Sequence, residues 1–331
     1  MRSTSFSSAL LCFEFCMTWL YCLGIIYGTQ TEVLTIMLNY SEPLYRPPSE
    51  ANSLIFQVTE GCSFNHCSFC SMYRSKQFKE KRLEQVLNEI IQMAKRFPDT
   101  KKVFLADGDA LVISTPNLLI ILDKLYQAFP NLERVSSYAL PANLSKKTLK
   151  ELSLLRRKGL GLIYYGIESG SANILKRITK GATPEKMIEG LNKASDAGLT
   201  ISATVILGLG GQRLWKEHID GTAELINRVQ IDYLSTLQLT LDPVIRKEFF
   251  EKFQKKGESF IPQDDAAILQ EQIRLIEKVM PEKALIFRSN HASNALALKG
   301  VLPRDRARLL SELNLASEDN SVLRPTWMRG L

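Results

Sequence analysis

Residues 54–74 read LIFQVTEGCSFNHCSFCSMYR. An apolar, aromatic-bearing run, Leu54 to Val58, feeds directly into a loop carrying Cys62, Cys67 and Cys70. A short run of that composition predicts a strand buried on both faces, as in a parallel sheet. The loop then lies at the strand's carboxyl end, where parallel α/β folds gather their functional groups. The C-x4-C-x2-C spacing offers three thiolates from one segment. A structural zinc site normally closes with four protein ligands, whereas three leave one metal position for a ligand or substrate. No cysteine follows Cys70.

Outward from this stretch, short apolar runs alternate with helical patterns. Strands are predicted at Leu54 to Val58, Val103 to Ala106, Arg134 to Tyr138, Leu162 to Ile167, Thr200 to Leu207 and Tyr233 to Leu237. Helical spacing marks Leu83 to Phe97, Asn117 to Phe129, Lys147 to Lys158, Pro184 to Ala197 and Lys216 to Arg228. Repeated βα units imply an α/β fold with a parallel sheet and right-handed crossovers, either a barrel or a doubly wound sheet. Ser145 and Thr183 stand as N-caps, Pro184 suits a first helical turn, and Gly159 and Gly198 close helices. After residue 240 the pattern changes to helices at Val244 to Lys256, Asp264 to Val279 and Arg304 to Leu313, with a strand-like piece at Ala284 to Phe287. A polar turn with Asn290, His291 and Asn294 lies between the last two, readable as substrate-facing groups or as a self-satisfied turn.

Unusual polar clusters fall at the predicted strand ends. The first strand opens the cysteine loop, the second ends in Asp107-Gly108-Asp109, the fourth in Gly166-Ile167-Glu168-Ser169-Gly170-Ser171, and the fifth in Gly208-Leu209-Gly210-Gly211. All of them would converge on one mouth.

With these motifs the chain resembles the radical S-adenosylmethionine (SAM) enzymes over residues 50–240. In style it is similar to the branches holding coproporphyrinogen dehydrogenases, methylthiotransferases and the elongator catalytic subunit. The resemblance implies a partial (β/α)6 TIM-like barrel, here with a mainly helical C-terminal extension at 241–331 covering the barrel of residues 37–240. It implies a 4Fe-4S cluster on Cys62, Cys67 and Cys70 and SAM on its fourth iron. One-electron reduction would cleave SAM to methionine and a 5'-deoxyadenosyl radical that abstracts hydrogen from a substrate. A reductant such as flavodoxin or ferredoxin is implied as partner. The usual family spacing is C-x3-C-x2-C, so one extra residue separates Cys62 from Cys67 here, a change that a loop absorbs at small entropic cost.

By the same resemblance Phe69 matches the aromatic position near the adenine, and Asp107, Gly108 and Asp109 match the segment that holds the methionine ammonium group. Glu168 matches a position contacting the ribose hydroxyls or the ammonium, Lys180 one meeting the SAM carboxylate, and Ile206 and Leu207 the apolar ledge beneath the adenine. Thr204 stands where some relatives place an aspartate for the ribose. Tyr73 and Arg74, just past the cysteines, either face the cofactor or brace the cysteine loop.

Residues 1–36 contain a nearly continuous apolar stretch at 9–28 with Cys12, Cys16 and Cys22, interrupted by Glu14. A membrane anchor and a stretch upstream of a native start at Met37 are both compatible with it. A secretory signal fits poorly, with only Arg2 ahead of the run and no clear cleavage site. An exposed cluster or free thiols would oxidise outside a reducing compartment, so the expected location is cytoplasmic. Lys and Arg number 42 against 35 Asp and Glu, a net charge of +7 spread among acids as on solvated helix faces. That balance allows a nucleic acid partner without requiring one. A second reading from the residues is a zinc- or iron-sulfur-stabilised RNA-binding or cluster-carrier protein, with His66 as a fourth metal ligand.

Overall fold

Strands form wherever the apolar runs predicted them. The computed structural model describes residues 40–255 and 257–330. The N-terminal segment 1–36, with its alternatives of an anchor or a start at Met37, lies outside the described residues. The strands are β1 (Leu54–Gln57), β2 (Thr59–Glu60), β3 (Lys79–Glu80), β4 (Lys102–Ala106), β5 (Arg134–Ala139), β6 (Leu160–Glu168), β7 (Thr200–Leu207), β8 (Tyr233–Gln238), β9 (Leu285–Ser289) and β10 (Leu298–Leu302). One eight-stranded sheet runs β1-β4-β5-β6-β7-β8-β9-β10, and β2 pairs β3 in a small ribbon. Each strand from β1 to β9 is parallel to its neighbour in that sheet, and β10 closes it antiparallel to β9. The result is a partial TIM-like barrel of successive βα units.

The connecting helices are α1 (Leu83–Arg96), α2 (Thr115–Ala128), α3 (Pro141–Lys146), α4 (Leu149–Arg157), α5 (Ala172–Arg177), α6 (Pro184–Asp196), α7 (Gly211–Asn227), α8 (Pro243–Gln254), α9 (Asp265–Lys278) and α10 (Arg306–Glu318). Thr183 caps α6 by accepting from the Lys186 amide, with Pro184 in the first turn. The left-handed φ values of Gly159 and Gly198, 102° and 81°, fit their place after α4 and α6. Ser145, in contrast, lies inside α3, and the cap of α4 is Thr148. Thr148 and Glu151 form a reciprocal capping box, a stronger arrangement than the serine alone offers. Helix α7 starts at Gly211 rather than Lys216, and α10 runs on to Glu318.

Side chains alternate between the two faces of each strand. One set, including Phe56, Leu105, Ile163, Tyr165, Val205 and Phe287, is buried completely or almost so. Phe56 meets Phe129 at the end of α2 with ring centroids 6.1 Å apart, which places this set beneath the helices. Each such side chain contributes about 1.5–3 kcal/mol relative to exposure. The other set, with Tyr138, Tyr164, Thr204, Ile206, Ser235 and Arg288, stays half-buried on the concave face.

The C-terminal extension is mainly helical and also supplies β9 and β10 to the same sheet. Its polar turn is tied to the strands beside it. Asn294 donates to Thr236 O at 2.8 Å and to Ser289 Oγ at 2.9 Å, while accepting from the Gln238 amide at 2.7 Å. His291 Nδ1 lies 2.9 Å from Ser293 Oγ. Asn294 therefore ties the end of β8 to β9, His291 bonds within its own turn, and Asn290 is exposed. Among the described residues no helix is long and apolar enough to cross a membrane.

Helix α9 reaches the turn after β7 through Glu271, whose Oε2 accepts from the Gly208 amide at 2.6 Å. Burial pushes the Glu271 carboxyl up to about 8, against the opposing pull of the Gly208 amide and Gln263. A carboxyl raised on folding contributes stability that is present below its unfolded value, about 4.5, and is lost as pH rises to 8. Glu271→Gln should flatten the decline of unfolding free energy between those limits, measured by urea titration at several pH values. An unchanged slope would exclude Glu271 as its source.

Candidate functional site

The cysteine loop, residues 61–78, is closed at its base by pairing of Thr59 with Glu80 and of Glu60 with Lys79. Several of its backbone groups are engaged. The Ser68 amide donates to Ile178 O at 2.9 Å, and Asn65 Nδ2 to Tyr73 O at 2.7 Å. Arg74 donates from Nη2 to Cys67 O at 2.7 Å and from Nε to Cys70 O at 3.1 Å, and pairs with Glu248 of α8 at 3.3 Å. Arg74 is thus a brace of the loop. Cys62, Cys67 and Cys70 are free thiols, each half-buried. Burial raises all three, Cys67 to about 12, with Lys180 opposing the rise in each case. Metal binding at such thiols must release protons.

The Asp107-Gly108-Asp109 turn at the end of β4 grips this loop. Asp107 is fully buried, and its Oδ2 accepts from Lys76 Nζ at 2.7 Å, the Gly61 amide at 3.0 Å and Gln57 Nε2 at 3.1 Å. Asp109, also fully buried, accepts from Ser63 Oγ through Oδ2. Burial raises both carboxyls, against Lys76 and the Gly61 amide for Asp107 and against Ser63 and Asn143 for Asp109. The Oδ1 atoms of both are buried without a protein partner. Gly108 lies beneath the ring of Tyr73, which also meets Tyr45 edge-on at 5.6 Å.

The fourth-strand cluster lies on the concave side. A register shift between Gly166 and Glu168 breaks the β6–β7 ladder, and Glu168 adopts φ 61°, a region that non-glycine residues seldom enter. The turned carboxylate receives Lys180 Nζ at 2.9 Å, with side chains only 10% and 6% exposed. A Cβ on Gly166 would collide with Glu168 Oε1, so the absent side chain makes room for the pair. Burial disfavours the Lys180 ammonium, but Glu168, Cys67 and Cys70 outweigh it and hold its pKa above the ordinary lysine value. Phe69 lies beside it, with Lys180 Nζ 5.9 Å from the ring centroid.

The structure therefore brings Phe69, Glu168 and Lys180 together with the cysteine loop. Ile206 lies half-buried on the concave face, whereas Leu207 is buried in the opposite layer. His66 is exposed, its ring edge-on to Phe64 at 5.5 Å. Among the described residues, no three His, Cys, Asp or Glu side chains are already gathered around one metal position. The chemistry of the loop's donors nonetheless fits a cluster: three soft thiols from one loop, with the buried Lys180 ammonium favouring their ionised forms.

Sequence reasoning missed the support behind Glu168. His218 of α7 is fully buried, with Nδ1 2.8 Å from Ser169 Oγ and Nε2 3.0 Å from Ile206 O. Burial lowers its pKa to about 4, so the imidazole is neutral and joins the ends of β6 and β7. Thr222, one turn on, accepts from the Gly170 amide at 2.9 Å and donates to His218 O at 2.6 Å. Their spacing of four on an amphipathic helix was the only signal available.

The family model described as the radical SAM superfamily matches residues 56–226, more than half of the chain. Heme chaperone HemW of Bacillus subtilis is 21% identical over 201 residues, covering 60% of this chain and 52% of that protein. The tRNA-2-methylthio-N(6)-dimethylallyladenosine synthase of Ehrlichia canis is 21% identical over 245 residues, covering 72% and 53%. The chain spans about half the length of these curated relatives. Among solved structures, coproporphyrinogen III oxidase HemN from Escherichia coli gives a TM-score of 0.49 at 18% identity, over 68% of this chain and 50% of that one. The FeFe-hydrogenase maturase HydG from Carboxydothermus hydrogenoformans gives 0.46 at 16% identity, over 79% and 57%.

A Cβ on Gly108 would stand 2.8 Å from Cδ2 of Tyr73 and closer still to Cε2, within a buried ring contact. Gly108→Ala should cost about 1–3 kcal/mol by overpacking. Tyr73→Leu in the same chain should recover part of that loss. Thermal melting of the two variants checks this, and an unaltered melting temperature in Gly108→Ala would contradict the packing.

Proposed function

The chain belongs to the radical SAM superfamily, whose members use a 4Fe-4S cluster and SAM, and from that premise we propose that it is an enzyme that cleaves SAM reductively and acts on a substrate held on the concave face. Cys62, Cys67 and Cys70 hold the cluster. Cluster and SAM together supply, when bound, the one-electron cleavage that yields methionine and a 5'-deoxyadenosyl radical for hydrogen abstraction. A flavodoxin- or ferredoxin-like donor provides the electron, and a reducing compartment such as the cytoplasm keeps the thiols available.

The observation that carries this reading is the meeting of two clusters at the strand ends. The Lys180–Glu168 pair lies where its charges bear on Cys67 and Cys70. The Lys180 ammonium can receive the SAM carboxylate, and Glu168 a ribose hydroxyl or the ammonium. Phe69 and Ile206 offer apolar surface to the adenine. Asp109, with Oδ1 unpartnered, can accept the methionine ammonium. Asp107, Gly108 and Leu207 act from behind, by fixing the loop, the turn and the strand. The opposed readings of the chain as a zinc protein or an RNA-binding module gain no support from His66, whose ring is turned to Phe64.

Anaerobic reconstitution with iron and sulfide should give a brown protein that releases 5'-deoxyadenosine and methionine from SAM with dithionite. Cys67→Ala should abolish both iron loading and cleavage. Lys180→Gln should retain iron while weakening SAM binding by about tenfold to a hundredfold, the worth of one charge-assisted hydrogen bond. A colourless parent protein with one tightly held zinc would overturn the proposal.

A further inference from the structure

Strand register aligns five residues at one level of the concave face. Gly166 lies opposite Thr204, Thr204 opposite Ser235, Ser235 opposite Arg288, and Arg288 opposite Lys299. The row starts against the Glu168–Lys180 pair, since a Cβ on Gly166 would meet Glu168 Oε1 and stand 3.0 Å from Lys180 Nζ. It ends in two cations on β9 and β10. Between them Thr204 and Ser235 carry short hydroxyl side chains and leave the surface half-open.

Arg288 is half-buried and spends one donor, Nη1, on Phe287 O at 3.0 Å. Elsewhere Arg74, Arg134 and Arg329 each meet a carboxylate, of Glu248, Glu50 and Asp265. Among the described residues, no ion pair involves Arg288 or the exposed Lys299. Like charges at directly opposed strand positions destabilise a sheet. An oxyanion bridging the two cations would offset that cost and take up donors that Arg288 does not spend on Phe287 O.

We propose that Arg288, assisted by Lys299, binds a carboxylate or phosphate group of the substrate, so that the substrate is a small oxyanion-bearing molecule. This deepens the SAM-cleaving reading and rests on it for the position of the reacting carbon. From β6 to β9 is three strand spacings, about 14 Å along the sheet. The substrate's anionic group and its reacting carbon are separated by no more than that distance.

Calorimetric titration of the cluster-loaded full chain with inorganic phosphate and with glutarate tests this in the absence of SAM. At least one anion should bind the parent protein. Arg288→Gln should weaken that binding by about tenfold or more, Lys299→Gln by less, and Arg288→Lys should retain part of it. The tighter of the two anions identifies phosphate or carboxylate as the group recognised. Failure of both anions to bind the parent, or equal binding by Arg288→Gln, would overturn the anchor. Should Arg288→Gln fail to load iron, undiminished binding by Lys299→Gln, on the exposed edge strand, would overturn it equally. Release of 5'-deoxyadenosine is measured in parallel. Its absence refutes SAM cleavage and leaves the anion result standing, whereas cleavage with unaltered anion binding in Arg288→Gln refutes the anchor alone.

Discussion

One buried oxygen, Oδ2 of Asp107, holds the entrance and the exit of the cysteine loop together. It accepts from Gln57 at the end of β1, from the Gly61 amide where the loop begins, and from Lys76 near its close. A loop of this length would otherwise sample many arrangements of its three thiols, at an entropic cost to any cluster it closes around. The Lys76–Asp107 pair has both side chains almost wholly buried. Removing one partner of such a pair leaves an uncompensated charge, a cost of about 3–5 kcal/mol. Loop geometry and fold stability are thereby coupled through a single carboxylate.

The second support works from the opposite side of the mouth. Glu168 sits in a strained backbone conformation at a break in the ladder, and such strain persists only where the surroundings over-determine it. Here His218 and Thr222 fasten Ser169 and Gly170 from α7, and Lys180 fastens the carboxylate itself. The cysteine loop then rests on the end of α5 through the Ser68 amide and Ile178 O, two residues before Lys180. Both supports hold backbone as well as side-chain atoms, the Gly61 amide on one side of the mouth and the Gly170 amide and Ile206 O on the other.

Fold and site were legible to different depths for physical reasons. The six strands expected from the sequence each carry a buried face, β4 being buried on both faces from Val103 to Ala106, so each leaves a compact apolar run, and β7 matches its expected limits, Thr200 to Leu207, at both ends. Strand β10, LKGVL, is an edge strand with an exposed lysine and a glycine, and carries no such run. The clusters at strand ends were visible because their residue types are unusual there. Their partners were not: Lys76 lies 31 residues from Asp107, and His218 lies 49 from Ser169, separations at which no local pattern records a hydrogen bond. Asp107, read as a ligand-holding acid, has its Oδ2 paired with Lys76, a contact that no local pattern announces.

The same division explains what the C-terminal extension adds. A sheet ending at β8 would present a concave face of aromatic and hydroxyl side chains, with its charges concentrated at the Glu168–Lys180 end. Strand β9 extends the parallel ladder by one step and β10 by one more, and the register that buries Phe287 outward turns Arg288 inward. A slip of one residue would exchange them, placing a guanidinium in the core and a phenyl ring on the open face. The apolar packing of Phe287 thus fixes where the positive charge stands, and the recognition chemistry of that end of the sheet follows from its core.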